Sequence, residues 1–193
     1  MMKNLLFIVL GILIVIAGVV FVLNNTTKAN ANTTANKNVL VAYFSATGTT
    51  KKVAEKLAKA IGGDLYEIKP QKAYTSADLN WHDSNSRTSI EMNDPKSRPE
   101  IDTNDLSIQN YDTIYLGFPI WWGTAPKIVH TFLEQYDFSG KKIIIFATSG
   151  SSGLGNTANN LKSSVSESTS IVEGDVLNSN PSVEDLKQWI KKF

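Results

Sequence analysis

Apolar residues occupy every position from 5 to 23 (LLFIVLGILIVIAGVVFVL), and no later stretch is comparable. A helix needs about 20 such residues to cross a bilayer, so residues 1–23 are expected to form a transmembrane anchor or an uncleaved signal. A secretory signal cleaved near Ala29, Asn30 and Ala31 is the competing expectation, and a buried globular helix a third. Either of the first two places the folded domain outside the cytoplasm, tethered to the cell membrane by a single pass or secreted if cleavage occurs. Residues 24–37 (NNTTKANANTTANK) contain no large apolar side chain and read as a flexible polar tether.

From residue 38 the periodicity changes. NVLVAYF at 38–44 is a short run without polar alternation, as in a strand covered on both faces. Over 49–61, Val53, Ala54, Leu57, Ala58 and Ile61 share one helical face, with lysines and Glu55 mostly opposite, and the helix stops at Gly62 and Gly63. A strand over 64–68 completes strand, helix, strand, the opening of a parallel α/β sheet. Further strands are predicted at 111–117, 141–148 and 171–177. Helices are predicted at 124–134, with Thr124 as a cap, near 153–165, and after Pro181, where Ser182 and Asp185 can form a capping box. The long polar section from 69 to 110 contains Tyr74, Leu79, Trp81 and His82, and is expected to pack as a lid or insertion.

Composition narrows the chemistry. Cysteine is absent, which excludes disulfides, thiolate metal sites and a cysteine nucleophile, so redox work needs a bound cofactor. The chain has 19 Lys plus Arg against 18 Asp plus Glu; with Lys3, Lys28 and Lys37 set aside, the remainder is slightly acidic. With no basic cluster interleaved with aromatic residues, nucleic acid is not an expected partner. His82 and His130 are the only histidines and form no metal motif; His130 is expected to meet solvent or a local acceptor. The G-x-S-x-G spacing of a hydrolase nucleophile is missing from the Gly150, Ser151, Ser152, Gly153 run.

Three loops follow predicted strands and fall at their carboxyl edge. Ser45, Ala46, Thr47, Gly48, Thr49 and Thr50 run into a helix amino terminus, where amides and hydroxyls can bind phosphate without arginine, although a Ser/Thr-rich cap is the plainer reading. The order is neither a P-loop nor a dinucleotide fingerprint. Pro119, Ile120, Trp121, Trp122 and Gly123 place two indoles in a connection, suggesting an apolar wall for a planar ligand. Ser149, Gly150 and Gly155 lie in a glycine-rich loop able to approach the polar edge of a ring, or simply to form a surface loop.

YFSATGTTKKVAEKLA at 43–58, GFPIWWGTAPKIVHTFLE at 117–134 and ATSGSSGLG at 147–155 resemble the phosphate loop and the two flavin-ring loops of the flavodoxin-like family. The resemblance covers residues 38–193. It implies a doubly wound five-stranded parallel sheet of order 2-1-3-4-5, bound FMN, and electron transfer to a redox partner protein or small-molecule acceptor. By that likeness Ser45, Thr47, Gly48, Thr49 and Thr50 hold the FMN phosphate. Pro119, Ile120, Trp121, Trp122 and Gly123 form one side of the ring, and Ser149, Gly150 and Gly155 its other side or edge. The expected function is FMN-dependent electron transfer by an exported or membrane-tethered carrier. The alternatives are an FMN-dependent NAD(P)H or quinone oxidoreductase acting on a small acceptor, and a flavin-free binding domain.

Overall fold

The structure, a computed structural model, describes residues 38–102 and 106–193. The chain alternates strand and helix: β1 (Val39–Tyr43), α1 (Thr49–Ile61), β2 (Asp64–Glu67), α2 (Arg87–Asn93), β3 (Thr113–Pro119), α3 (Lys127–Gln135), β4 (Lys142–Thr148), α4 (Thr157–Leu161), β5 (Ser170–Val176) and α5 (Val183–Trp189). The strands are all parallel and ordered β2-β1-β3-β4-β5, the doubly wound sheet expected from the sequence.

The burial of each strand follows its position. All five residues of β1 are buried, as are most of β3 and β4, whereas β2 and β5 at the edges are half open. Side chains alternate across the sheet. Leu40, Phe44 and Ile145 pack on one face beneath Ile128 and Phe132 of α3 and Leu161 of α4. Val41, Tyr43 and Phe146 pack on the other beneath Leu57 of α1 and Leu186 and Trp189 of α5. Gly117 is required where β3 passes β4, because a Cβ there would lie 2.2 Å from the Phe146 ring.

Several predicted boundaries shift. The β3 strand begins at Thr113 and continues to Pro119, two residues beyond the expected end. Thr124 does not cap α3: its amide and carbonyl pair with Trp121, and Pro126 takes the N-cap with an extended backbone. The weak helix near 153–165 shortens to α4 plus a 3₁₀ turn at Lys162–Ser164. At α5 both hydrogen bonds of the Ser182–Asp185 capping box are present.

The section after β2 is packed. Pro70 and Ile101 bridge its two ends, and α2 stands between them. The Arg87 guanidinium donates to Glu91 at 2.6 Å and to the Lys72 carbonyl at 2.7 Å, and it lies 4.0 Å over the Tyr74 ring. Tyr74 donates to the other Glu91 oxygen at 2.7 Å and packs edge-on against Phe44 and Trp121. On its return leg Arg98 forms a two-pronged ion pair with Glu134 of α3.

One group of expectations is corrected. Among the described residues no helix is long and apolar enough to cross a membrane. The longest, α1, has 13 residues, well short of the roughly 20 a span requires. The anchor over 1–23 and the tether over 24–37 lie outside the described residues. The structure thus shows no membrane-spanning helix in support of tethering, export, the single-pass location or the membrane as a partner, and these expectations are not carried into the functional reading.

Candidate functional site

In a parallel sheet the carboxyl ends of β1, β3 and β4 share one edge, and β1 lies where the chain first winds to β2 and then back to β3. Such a switch point leaves a crevice between diverging loops. Here the crevice has a volume of about 870 Å³, toward the upper end of the ~300–1,000 Å³ common for ligand sites. All three loops singled out from the sequence open onto it.

The first loop has an unfilled hydrogen-bonding capacity. Ser45 Oγ is buried without a partner, one of two such side-chain oxygens among the described residues; the other, Thr131 Oγ1, lies on α3 and has no structural explanation. Gly48, with φ of 85°, caps α1 without a side-chain acceptor, and no acidic residue occupies the first turn. The leading amides of a 13-residue helix are thus left facing the cleft mouth with their partial positive charge uncompensated. An anion with several acceptor oxygens fits this combination. Thr50 is buried and shares a 2.8 Å hydrogen bond with Thr148 at the end of β4, tying the first loop to the third.

The second loop is a tight turn. Trp121 and Thr124 exchange backbone hydrogen bonds of 2.9 and 3.0 Å, while Trp122 (φ 49°) and Gly123 (φ 76°) occupy the left-handed region between them, as in a type I′ turn. The turn sends its two indoles different ways. Trp121 packs edge-on against Phe44 at 5.5 Å and Tyr74 at 5.4 Å. Trp122 is 47% exposed, yet borders the cleft.

The fourth strand delivers the last loop. Ile120 N donates to Thr148 O at 2.9 Å, Ser149 N donates to Asn178 Oδ1 at 2.7 Å, and Ser152 N donates to Ser149 Oγ at 2.9 Å. Gly155 (φ 55°) lies against the Gly123 carbonyl, so the second and third loops meet there.

The chain matches the family model described as Flavodoxin over residues 38–193. It belongs to the flavodoxin family. A crystal structure described as a flavoprotein from Bacteroides eggerthii is 48% identical, with a TM-score of 0.76, covering 81% of this chain and 98% of that one. One from Bacteroides uniformis is 50% identical, with a TM-score of 0.73, covering 80% and 98%. A flavoprotein in complex with FMN from Lactobacillus acidophilus shares the fold at 24% identity and a TM-score of 0.60, covering 80% and 99%. No curated protein matches the chain.

The cleft of this flavodoxin-family domain is lined by ten of the thirteen expected site residues: Ser45, Thr47, Thr49, Thr50, Pro119, Ile120, Trp121, Trp122, Ser149 and Gly150. Gly48, Gly123 and Gly155 do not line it but set the turns that shape it, each with positive φ. Sequence reasoning missed Asn178, which holds the Ser149 amide from the loop after β5, and did not count Thr148, which opens the expected third loop, among the site residues. It also left Leu79, Trp81 and Thr88 of the insertion outside the site, although all three line the cleft. The isolated aromatic residues in that polar section were the available signal.

Among the described residues no ionisable side chain lines this cleft. Tyr74, which packs against Trp121, has its phenol pushed far up by burial and by its hydrogen bond to Glu91, so it remains a neutral donor. Neither histidine faces the site. His82 packs on Trp81, and His130, a residue of α3, is buried with Nδ1 2.8 Å from Ser164 Oγ. Among the described residues no cluster of three or more His, Asp or Glu is arranged to hold a metal ion.

Proposed function

We propose that this protein is an FMN-dependent oxidoreductase that passes electrons to a small acceptor admitted to the cleft. Its family supports a flavodoxin-type electron-carrier or oxidoreductase role. The observation that favours a small acceptor is the wall built by the insertion, where Leu79, Trp81 and Thr88 stand across from the three cofactor loops. A carrier that exchanges electrons only with proteins has no need of a second wall around its cofactor edge. This replaces the tethered-carrier expectation with its oxidoreductase alternative.

FMN, when bound, supplies the redox chemistry by taking up and releasing one or two electrons. The protein's residues hold and surround it. Ser45, Thr47, Gly48, Thr49 and Thr50 receive the phosphate, using the unpaired Ser45 hydroxyl and the uncapped start of α1. A dianion is accommodated there without Lys or Arg because the helix amides and hydroxyls converge on it. Pro119, Ile120, Trp121, Trp122 and Gly123 shape one side of the ring pocket, and Ser149, Gly150 and Gly155 its polar rim. Among the described residues no acid or base lines the cleft, so protons that accompany electron transfer would be drawn from water.

The test is to load the purified protein with FMN and compare steady-state turnover using a dihydronicotinamide donor with either a small quinone or a small redox protein as acceptor. Saturable quinone reduction that exceeds reduction of the protein acceptor is the expected result. Turnover with the redox protein alone would overturn the reading.

A further inference from the structure

Trp81 is the most exposed large apolar side chain among the described residues, at 66%, and it nevertheless borders the cleft. An indole left open in this way usually contributes nothing to folding. Its mounting is nevertheless firm. Thr75 and Asp78 hold each other through three hydrogen bonds of 2.8, 2.8 and 3.1 Å. The Asp78 carbonyl receives both the amide and the hydroxyl of Thr88, at 3.1 and 2.7 Å, which locks the turn to α2. Leu79 N and Asn80 N bond back to Thr75 and Ala77. The His82 ring, 3.5 Å away by centroid and tilted by 33°, backs one side of the indole.

A braced aromatic face at the open side of a cleft that has no charged lining selects a particular guest. Apart from the start of α1, which is given to the cofactor phosphate, the lining offers charged groups no counter-ion, and burying them unpaired beside Trp81 is unfavourable. A flat, uncharged conjugated molecule loses much less than an ion by leaving water and gains a stacking surface. Resting on the oxidoreductase reading above, we propose that Trp81, with Leu79 beside it, is the binding face for the electron acceptor. That acceptor is a planar, uncharged, conjugated compound of the quinone class. Its reduction balances as quinone plus NAD(P)H plus a proton giving hydroquinone plus NAD(P)⁺, with the second hydrogen carried by the dihydronicotinamide. Trp81 binds and orients the quinone and takes no part in the transfer itself.

The experiment uses the FMN-loaded full chain and 1,4-naphthoquinone, with its 2-sulfonate as the charged comparator. Calorimetric Kd for each quinone, Kd for FMN, and KM and kcat with naphthoquinone and with ferricyanide are measured for wild type, Trp81→Ala and Trp81→Phe. Trp81→Ala is expected to raise Kd and KM for naphthoquinone about tenfold, an amount typical of a lost aromatic stack. FMN affinity and ferricyanide turnover stay within about twofold, Trp81→Phe retains most of the binding, and the sulfonate binds wild type about tenfold more weakly. An unchanged naphthoquinone Kd in Trp81→Ala overturns the proposal. So does a parallel loss of FMN affinity, which would make Trp81 part of the cofactor wall. Trp81-dependent binding of naphthoquinone without its reduction supports the site while refuting the oxidoreductase reading, so the two failures are told apart.

Discussion

Acidification from pH 7 to pH 5 should weaken the fold through a single buried residue, His130. Ser164 donates its hydroxyl proton to Glu134 at 2.9 Å, because a carboxylate can only accept. Its one remaining role toward His130 is therefore that of acceptor, which fixes the proton of the neutral imidazole on Nδ1. Burial, reinforced by the nearby positive charges of Arg98 and Lys127 and opposed by Glu134, lowers the His130 pKa from 6.5 to about 4. In the unfolded chain His130 takes up its proton near pH 6.5, whereas in the folded protein it resists until about pH 4. Between those values the unfolded state holds more protons, so stability is complete above the unfolded pKa and falls as the pH falls. For that pair of pKa values the loss is about 2 kcal/mol from pH 7 to pH 5, approaching ~3 kcal/mol once the folded state also protonates. Glu134, held below the usual carboxylate range chiefly by Arg98, adds its own loss only at lower pH. Urea unfolding of the flavin-free protein at pH 7, 6 and 5 measures the slope, and His130→Gln removes the titration while keeping a side-chain donor for Ser164. The variant should lose most of the dependence over this interval. Equal slopes for the two proteins would refute the assignment of a buried neutral imidazole.

Three other outcomes follow from the geometry. Ser45→Ala removes a buried hydroxyl with no partner, so the flavin-free protein should be unchanged or up to about 1 kcal/mol more stable in a thermal melt. Its affinity for FMN should nevertheless fall by much more than its affinity for riboflavin, measured by fluorescence titration. Gly117→Ala drives a methyl group into the Phe146 ring at 2.2 Å and should destabilise by about 1–3 kcal/mol or more; adding Phe146→Leu should recover part of the loss in a denaturant titration. Trp121→Ala, which gives up edge contacts to Phe44 and Tyr74, should cost about 2–4 kcal/mol of flavin-free stability. Trp122→Ala should cost far less there and weaken FMN more, as read from flavin quenching and melts corrected for bound cofactor.

The fold was legible wherever one periodicity held over a whole element. The α1 bounds were recovered because its apolar stripe ends at Gly62, whose φ of 71° closes the helix with a backbone bond to Ala58. The start of α3 was misplaced because Thr124 has the chemistry of a cap, while its backbone is already committed to Trp121. That competing bond depends on the left-handed turn between them, which a tryptophan does not advertise. The β3 strand runs past its expected end because the adjoining β4 offers partners as far as Thr148. The cleft was legible in its three loops but not in its fourth side. Nothing in the order of residues says that Leu79 and Trp81 fold back across the β1 loop, or that Thr50 reaches Thr148, 98 positions away. Contacts of that range are made by the sheet order, which becomes readable only once every strand is placed.

The turn at 121–124 separates two side chains that are identical in kind. A type I′ turn favours Asn or Gly at its first central position, since both central residues need positive φ. This turn has Trp122 there, at 49°, where a side chain with a Cβ costs about 1–2 kcal/mol relative to the right-handed region. Burial does not repay that cost well, because the indole remains 47% exposed. Stability alone would favour Trp121 inside and a small polar residue at the tip. Strained backbone that the rest of a fold tolerates tends to collect where a ligand is bound. At Trp122 the strain, the exposure and the position beside the cleft coincide, whereas Trp121 has none of the strain and spends its ring on Phe44 and Tyr74. The proposed division of labour therefore gives Trp122 to the cofactor and Trp121 to the turn, and the paired alanine variants test it: equal losses of FMN affinity in both would refute it.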